Sequence, residues 1–323
     1  VRVFLTGSYK KGRATNWLIG TLLLILALAF NFTGYLLPWD QLAYWAITVS
    51  TSLVSYIPIV GPEIGRLLLA DAQVGQGALS NFYALHVAVL PVVTVAFLAY
   101  HFWKVRKDGG ITQPETADGK PPRRVSTIPN LVEREFTVIA VVLAGLIIFA
   151  MLVPAPLGEL ANPNQSPNPA KSAWYFAGLQ ELLLHMHPLA AMALVVVVLL
   201  ALAFLPLLDR RHDKNGIYIH TATGKKTALA GAFLALYLVP LLVIVDEFWL
   251  DIAGMLDGWP LLISTGLVPL LLTLGGLVAI YLLLRRVFKA SHSETLVGIF
   301  TLLAVGLILL TIVGVYFRGP NMA

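Results

Sequence analysis

The sequence predicts an all-α integral membrane protein with about seven transmembrane helices. Hydrophobic residues make up 58% and charged residues 12% of the 323 residues, with a mean hydropathy of +0.81, whereas about one quarter of a soluble domain is charged. About 20 apolar residues cross a bilayer, and backbone groups in lipid must bond within a helix. Seven uncharged stretches have about this length: 14–39, 72–103, 136–158, 182–208, 227–245, 258–284 and 295–317.

The basic residues predict how these crossings alternate. Lys and Arg are retained in cytoplasmic loops. If the chain starts in the cytoplasm, all but three of the 22 Lys and Arg residues fall on that side, the exceptions being Arg66, Lys171 and Arg318. The net charge of +5 is therefore a topology signal rather than a nucleic-acid footprint. We expect a multi-pass protein of a bacterial inner membrane with its C-terminus outside.

Composition also divides the chain. Residues 109–134 are polar and proline-containing and indicate a cytoplasmic linker. They separate residues 1–108, with two predicted crossings and a long outer loop, from a three-helix module over 135–245 and two additional helices over 246–323. The long outer loop is either functional or a packing lid. No cysteine occurs, so the chain itself has no thiolate-held iron–sulfur cluster and no CxxCH haem attachment.

Two histidines lie on the second predicted helix. His86 and His101 are fifteen residues apart, which corresponds to about 22 Å and a net rotation of about 60°. Both imidazoles are therefore expected on one broad face, at opposite membrane depths. Ionisable residues inside a span are costly, and imidazole is an axial ligand for haem iron. The pair predicts two stacked b-type haem sites; the alternative is that each ring only forms a hydrogen bond between helices.

The first predicted helix has a matching pair of glycines. Gly20 and Gly34 are fourteen residues apart, about 21 Å along the same face. A glycine lets a flat ring approach the backbone closely. Two such gaps at nearly the histidine separation fit two porphyrins, although small residues also serve ordinary helix packing in membranes.

Four segments of the first 108 residues carry a resemblance to a known family, namely Arg2–Lys11, Asn16–Gly20, Phe32–Gln41 and Phe82–His86. They resemble the cytochrome b family of bc-type quinol-oxidising complexes, and the histidine spacing is similar to the b6 form. The resemblance extends almost continuously over residues 1–108, and a looser likeness to subunit IV of b6f complexes follows, anchored at Trp174, Tyr175 and Phe176. The helices over 246–323 exceed the three-helix subunit IV pattern.

The resemblance implies that His86 ligates a haem near the outer surface and His101 one near the cytoplasm. Gly20 and Gly34 would flank the rings. The family supplies the second axial histidines from helices that precede Arg2. Those helices therefore belong to a preceding segment or to another chain, or else the haems are absent. Arg2, Arg13 and Arg106 are candidates to hold haem propionates or a quinone head by guanidinium hydrogen bonds, or they are loop charges that obey the positive-inside rule.

For quinol oxidation the family uses the outer loop around Asp40 and a Pro-Glu-Trp-Tyr motif. Here Ala173 replaces the glutamate before Trp174 and Tyr175. Glu181 is the candidate substitute, since a carboxyl in an apolar pocket can have a raised pKa and transfer a proton. The alternative for Glu181 is an interfacial surface charge.

The resemblance implies electron transfer from quinol through two b-type haems, coupled to proton translocation. Implied partners are a Rieske iron–sulfur protein or a c-type cytochrome, quinone, membrane lipid and a second copy in a dimeric complex. Two other classes stay open: a haem-free polytopic transporter whose histidines relay protons, and a non-catalytic membrane anchor for a redox partner.

Overall fold

The computed structural model describes residues 1–10, 12–110, 125–209 and 221–320, and most of these residues are helical. Most of the predicted linker 109–134 and the basic residues Lys11, Arg210 and Arg211 lie outside the described residues. The helices are α1 (Arg2–Leu5), α2 (Ala14–Leu36), α3 (Gln41–Ser55), α4 (Gly61–Leu69), α5 (Gln76–Lys107), α6 (Val132–Leu152), α7 (Trp174–His185), α8 (Pro188–Ala203), α9 (Leu205–Leu208), α10 (Ala222–Phe248), α11 (Ile252–Met255), α12 (Leu262–Val287) and α13 (His292–Phe317).

Six helices of the described chain are long and apolar enough to cross a membrane, namely α2, α5, α6, α10, α12 and α13. The predicted crossing over 182–208 is not one helix. Met186 is extended after α7, His187 caps α8, and Phe204 separates α8 from α9. Pro188 explains the first break, because proline disfavours helical backbone in the preceding residue.

The contacts at the two ends of α8 and α9 nevertheless place this segment across the bundle. We call the two ends of the bundle the His86 side and the His101 side, after the α5 histidine nearest to each. At the His86 side, the backbone N–H of His187 donates to the carbonyl of Thr265, 2.8 Å away. At the His101 side, the indole of Trp17 donates to the carbonyl of Leu202 at 2.7 Å. The segment formed by α8 and α9 therefore also runs from one side of the bundle to the other, in addition to the six long helices.

The long loop between α2 and α5 folds into two helices on the His86 side. Asp40 caps the first turn of α3 by accepting from the N–H of Ala43 at 2.9 Å. Leu36, Ile47 and Phe82 form the buried core beneath the loop. The loop is thus a packed part of the fold.

The tightest helix crossing joins α10 and α13. A Cβ added at Gly231 would lie 2.2 Å from the carbonyl oxygen of Gly298, so neither backbone tolerates a side chain there without moving. Close approach at small residues is how helices associate in lipid, where no hydrophobic effect drives them together. In contrast, α6 has no buried residue.

The N-terminal segment packs against the C-terminal helices on the His101 side. The rings of Phe4 and Phe300 lie 4.4 Å apart, and Tyr9 and Val297 belong to the same buried cluster. The last helix, whose role the sequence leaves open, therefore supports the first residues of the chain.

Candidate functional site

Each histidine of α5 faces one of the two predicted glycines of α2. A Cβ built on Gly34 would lie 2.8 Å from Cε1 of His86, and one built on Gly20 would lie 3.4 Å from Cε1 of His101. A side chain at Gly34 would force the imidazole to move. The structure thus brings together two glycine–histidine pairs, one near each end of α2, as the spacing predicts.

Thr33 fixes the tautomer of His86. The Thr33 hydroxyl donates to the carbonyl of Ala29 at 2.8 Å, so its oxygen is left to accept from Nδ1–H of His86, 2.9 Å away. A neutral imidazole protonated at Nδ1 has its lone pair on Nε2, and such a hydrogen bond is the usual way in which a metal-binding histidine is oriented. The sequence analysis missed Thr33, although it directly precedes Gly34.

The His101 site contains unsatisfied polar atoms. Nδ1 of His101 and Oδ1 of Asn16 are both buried without a hydrogen-bond partner among the described residues. A buried polar atom without a partner costs about 1–3 kcal/mol. A haem whose iron took His101 as an axial ligand would give the imidazole a partner, so the donor set and the Gly20 gap fit the group that the resemblance implies.

A π turn over Leu85–Val89 surrounds His86. Such a turn inserts about one extra residue into an α-helix, which changes the net rotation between the two histidines from about +60° to about −40°. Both rings still face α2. Wide turns of this kind occur frequently at functional sites.

Tyr175 lies beside the end of α2 that approaches the His86 site. Its hydroxyl donates to the carbonyl of Asn31 at 3.3 Å, and the rings of Phe32 and Phe176 are 6.0 Å apart. Burial raises the pKa of the Tyr175 phenol, so the hydroxyl stays protonated at neutral pH. The start of α7 therefore covers the His86 side of the candidate site.

Asp40 holds two loops together. Besides capping α3, its carboxylate accepts from the N–H of Gly158 at 3.0 Å. The next residue continues the junction, because the N–H of Gln41 donates to the carbonyl of Glu159 at 2.8 Å. Both carboxylate oxygens of Asp40 are thus used by backbone groups, and the geometry gives this residue a structural role.

The raised pKa expected for Glu181 is wrong, and so is the surface-charge alternative. Glu181 is 1% exposed. Burial alone would raise the carboxyl pKa, but hydrogen bonds from His185 and Arg318 outweigh it and lower the pKa. Arg318 Nε lies 3.1 and 3.0 Å from the two carboxylate oxygens, and His185 Nε2 lies 3.1 Å from Oε1.

Glu181 also points away from Tyr175. Ala177 and Gly178 share the face of α7 that packs on α13, where Gly178 meets Thr311. At about 100° per residue, Glu181 lies on this same face, opposite the edge formed by Tyr175 and Phe176. Both carboxylate oxygens of Glu181 therefore already accept hydrogen bonds, and they face α13 rather than α2.

Glu181 belongs to a cluster of five ionisable side chains that joins α7, α10 and the residue after α13 on the His86 side. Glu181 and Arg318 are buried, whereas the side chains of Asp246 and Glu247 are 34% and 32% exposed. His185 bridges two carboxylates, with Nδ1 2.7 Å from Asp246 and Nε2 3.1 Å from Glu181. Arg318 also donates to Glu247. The sequence analysis treated Arg318 only as an exception in an outer loop; no local pattern links it to Glu181, 137 residues away. The other histidine of this region, His187, caps α8.

The three candidate arginines lie on the His101 side with different surroundings. Arg13 donates to the carbonyl of Asp108 at 2.9 Å and so joins the start of α2 to the end of α5. Arg2 and Arg106 are exposed. The sequence analysis missed a cluster around Asp209 on this side. The Asp209 carboxylate accepts a hydrogen bond from the Tyr9 hydroxyl at 2.7 Å and forms an ion pair with Lys10 at 2.9 Å.

The fold and the site together define a polytopic helical membrane protein with two histidine sites stacked between α2 and α5. Comparisons with known proteins show what the first half of the chain is similar to. Residues 1–160 match the family model described as cytochrome b (N-terminal)/b6/petB. Cytochrome b6 of Porphyra purpurea and that of Pyropia yezoensis are each 46% identical over 108 residues, which cover 33% of this chain and 50% of theirs.

One solved structure shares the fold over most of the chain. A chain of a hyperthermophilic respiratory Complex III aligns with a TM-score of 0.57 and 20% identity, covering 95% of this chain and 70% of that one. Residues 1–160 therefore match the cytochrome b family, and the likeness to the Complex III chain shows a shared fold. It matches half the length of the cytochrome b6 relatives.

Proposed function

We propose that this chain is the cytochrome b subunit of a bc-type quinol-oxidising complex, which carries electrons between quinone sites on the two sides of a membrane in steps coupled to proton translocation. The observation that carries the proposal is the pair of glycine–histidine contacts, Gly34 with His86 and Gly20 with His101. Two such contacts, at opposite ends of the same helix pair, match two porphyrin sites better than one proton relay.

His86 and His101 would each supply one axial ligand from this chain. Thr33 holds His86 by Nδ1 and so presents Nε2 for coordination, while Gly20 and Gly34 leave room at the backbone of α2. When bound, two b-type haems supply reversible one-electron carriers at two membrane depths. The second axial ligands would come from outside this sequence.

Tyr175 is our candidate for positioning quinol on the His86 side. It lies at the junction of α7 with α2, and its protonated hydroxyl can donate to a quinone oxygen after release from the carbonyl of Asn31. Asp40 supports this junction by fixing the loop at Gly158. Because Ala173 replaces the glutamate of the family motif, and because the carboxylate of Glu181 is already ion-paired, we assign the proton acceptor to neither position.

The partners follow from what the chain lacks. It contains no cysteine, so a Rieske-type cluster or a covalently held c-type haem would be on a separate subunit. We also propose that the preceding cytochrome b helices and a second copy complete the complex, on the basis of the family match over residues 1–160.

The test is a haem count on the purified native complex and its variants. We expect dithionite to produce b-type absorbance, with a pyridine haemochrome count of two per chain. His86→Leu and His101→Leu should each remove one haem and leave the other with its own potential. His292→Gln is the matched control, because His292 pairs with Tyr281 on the His101 side, away from α2.

Two results would contradict the proposal. A complex that stays colourless after dithionite would favour the haem-free transporter. Haems that are present but are not reduced by added quinol would favour the membrane anchor for a redox partner. Tyr175→Phe sharpens the second measurement, since it should raise the KM for quinol while the haem count is unchanged.

A further inference from the structure

Two buried oxygens without hydrogen-bond partners among the described residues lie on the His101 side of the α2–α5 pair. They are Oδ1 of Asn16, on α2, and Oδ2 of Asp108, the residue that directly follows α5. Each oxygen is an acceptor, so only an N–H or O–H donor can satisfy it. Because an unsatisfied buried oxygen is rare in a folded protein, both positions indicate a donor other than the described side chains.

The helical period aligns these oxygens with the His101 site. Asp108 follows His101 by seven residues, so it lies about 10 Å nearer the end of the pair and on the same face of α5. Asn16 precedes Gly20 by four residues, which places it about 6 Å beyond the contact between Gly20 and His101. The order from the end of the pair inwards is therefore Asp108, Asn16 and His101.

Two cations hold the outer end of this row. The guanidinium of Arg13 donates to the backbone carbonyl of Asp108 at 2.9 Å, and Lys104 pairs with Oδ1 of Asp108 at 2.7 Å. Among the described residues, these are the charged groups that contact Asp108 from α2 and α5. The Asp108 side chain is 15% exposed. The carboxyl group is therefore reached from solvent, with one oxygen held by a cation and the other directed inwards.

We propose that Asp108 and Asn16 form the proton entry to a quinone that is reduced on the His101 side. Asp108 takes a proton from solvent, and a water bonded to Oδ1 of Asn16 passes it inwards. This inference rests on the proposed function, since it needs quinone and electrons at the His101 site. Carboxyl groups are frequent proton-transfer groups in proteins, and ordered water commonly satisfies buried polar atoms.

The proton and electron counts balance for each quinone. Two electrons arrive one at a time from the reduced haem on the His101 side, and two protons arrive in turn through Asp108. Each transfer breaks the carboxyl O–H bond of Asp108 and forms one O–H bond of the quinol. Solvent then protonates Asp108 again. The net change is quinone, two electrons and two protons giving quinol.

The first experiment measures how fast added quinone reoxidises the reduced haem on the His101 side of the purified native complex. Asp108→Asn keeps the shape of the side chain but has no proton to release, so the rate should fall about 100-fold, at the low end of general-acid contributions. Formic acid, a small soluble proton donor, should restore part of the lost rate. Asn16→Ala should also slow the reaction, whereas Asn16→Ser keeps an acceptor oxygen and should retain most of the rate.

A second readout does not depend on turnover. Reduction of the haem adds negative charge near Asp108, which favours the neutral carboxyl group. The reduced-minus-oxidised infrared difference spectrum should therefore contain a carboxyl C=O band that is lost in Asp108→Asn. Glu294→Gln is the matched control, because Glu294 lies on the same side but its carboxylate is bonded to Thr221 and to the backbone of Ser291. It should leave both the rate and the band unchanged.

The haem count of each sample separates this inference from the electron-transfer proposal. If Asp108→Asn contains both haems and reduces quinone at the unmodified rate, the proton entry is wrong and the electron-transfer proposal stands. A slow Asp108→Asn complex that formic acid does not accelerate, and that keeps the carboxyl band, would also overturn the proton entry, because Asp108 would then have only a structural role. A complex without haem would overturn the electron-transfer proposal itself, and this inference with it.

Discussion

Residues 1–108 and the C-terminal bundle, which consists of α7 to α13 and Arg318, differ in how their buried polar groups are paired. All five buried side-chain atoms that have no partner in the described structure lie in the first region: Asn16 Oδ1, Trp45 Nε1, Thr94 Oγ1, His101 Nδ1 and Asp108 Oδ2. In the C-terminal bundle, Glu181 and Arg318 are buried at 1% and 6% exposure, and each has several hydrogen bonds. Among the described residues, the buried polar atoms without a partner thus all lie in the first region, and none lies in the C-terminal bundle.

The difference teaches where the chain depends on other molecules. A buried polar atom is tolerated without a partner only at a cost of about 1–3 kcal/mol, so five such atoms in one region indicate missing bonds. A haem and further helices would supply them, which is what we propose for this region. The ionic clusters of the bundle instead serve to hold the seventh crossing segment, α13, against α7 on one side and the N-terminal segment on the other.

The largest expected loss of stability comes from a substitution in the ionic cluster around Glu181 in the C-terminal bundle. Arg318→Leu would leave Glu181 buried without its cation, and loss of one partner of a buried pair costs about 3–5 kcal/mol. The free energy of unfolding in mixed micelles measures this. Arg66→Leu is the control, since Arg66 and Glu63 form an ion pair with 71% of each side chain exposed, worth at most about 1 kcal/mol. Equal losses in the two variants would contradict the comparison.

A somewhat smaller effect is expected at the other ionic cluster. Asp209→Leu removes the acceptor of Tyr9 and Lys10, but Lys10 retains a hydrogen bond to Ser293 at 3.1 Å. Hydrogen bonds to charged groups contribute about 1.5–3 kcal/mol, and we expect a loss in that range by the same unfolding measurement. Asp251→Leu is the control, because Asp251 only caps the short helix α11; a loss no greater than in this control would show that the cluster does not anchor the N-terminal segment.

The difference between the two regions can be tested by replacing one buried threonine with valine in each of them. Thr227 is fully buried and donates to the carbonyl of Glu294 at 2.7 Å, so Thr227→Val should cost about 1–3 kcal/mol. The hydroxyl of Thr94 has no partner in the described chain, so Thr94→Val should be neutral or slightly stabilising in the haem-free protein. An equal loss of unfolding free energy in Thr94→Val and Thr227→Val would show that the buried polar groups of the first region do have hydrogen-bond partners.

The smallest expected effect is the pH dependence of the stability that the cluster around Glu181 contributes. The folded pKa of His185 is raised above 6.5, because the hydrogen bonds that its ring donates to Glu181 and Asp246 outweigh burial. Its stabilising contribution is therefore complete below about pH 6.5 and is lost as pH rises through the folded pKa. The pKa of Glu181 is lowered below 4.5, so its contribution is complete above about pH 4.5 and is lost as pH falls through the folded pKa.

Unfolding free energies between pH 4 and 9 test this expectation. Stability should be highest between about pH 4.5 and 6.5, and His185→Gln should remove the decline on the alkaline side. His185 contacts Glu181 and Asp246, and Arg318 joins Glu181 to Glu247 in the same cluster. An alkaline decline that persists in His185→Gln would assign it to other groups of the protein.

The crossing segments and the two histidine sites were predictable because both are properties of a single helix. The stretch 14–39 matches Ala14–Leu36, and 295–317 matches His292–Phe317, since the lack of charge sets where a helix meets the membrane surface. A fifteen-residue spacing places His86 and His101 on one face of any helix. The π turn at Leu85–Val89 carries no local sequence signal that we recognise, and it changed the rotation without moving either ring away from α2.

The sequence alone determined that this chain is a membrane protein with about seven crossings and two paired histidine and glycine positions, because helical period and the length of apolar runs are local quantities. Only the tertiary structure decided that Glu181 faces Arg318, that Asp209 holds Lys10, and that the segment 182–208 breaks at Met186. The physical reason is that lipid and protein interior are both apolar. Hydrophobic patterning therefore does not say which face of a membrane helix packs inward, and buried charges find partners only when distant helices are placed side by side.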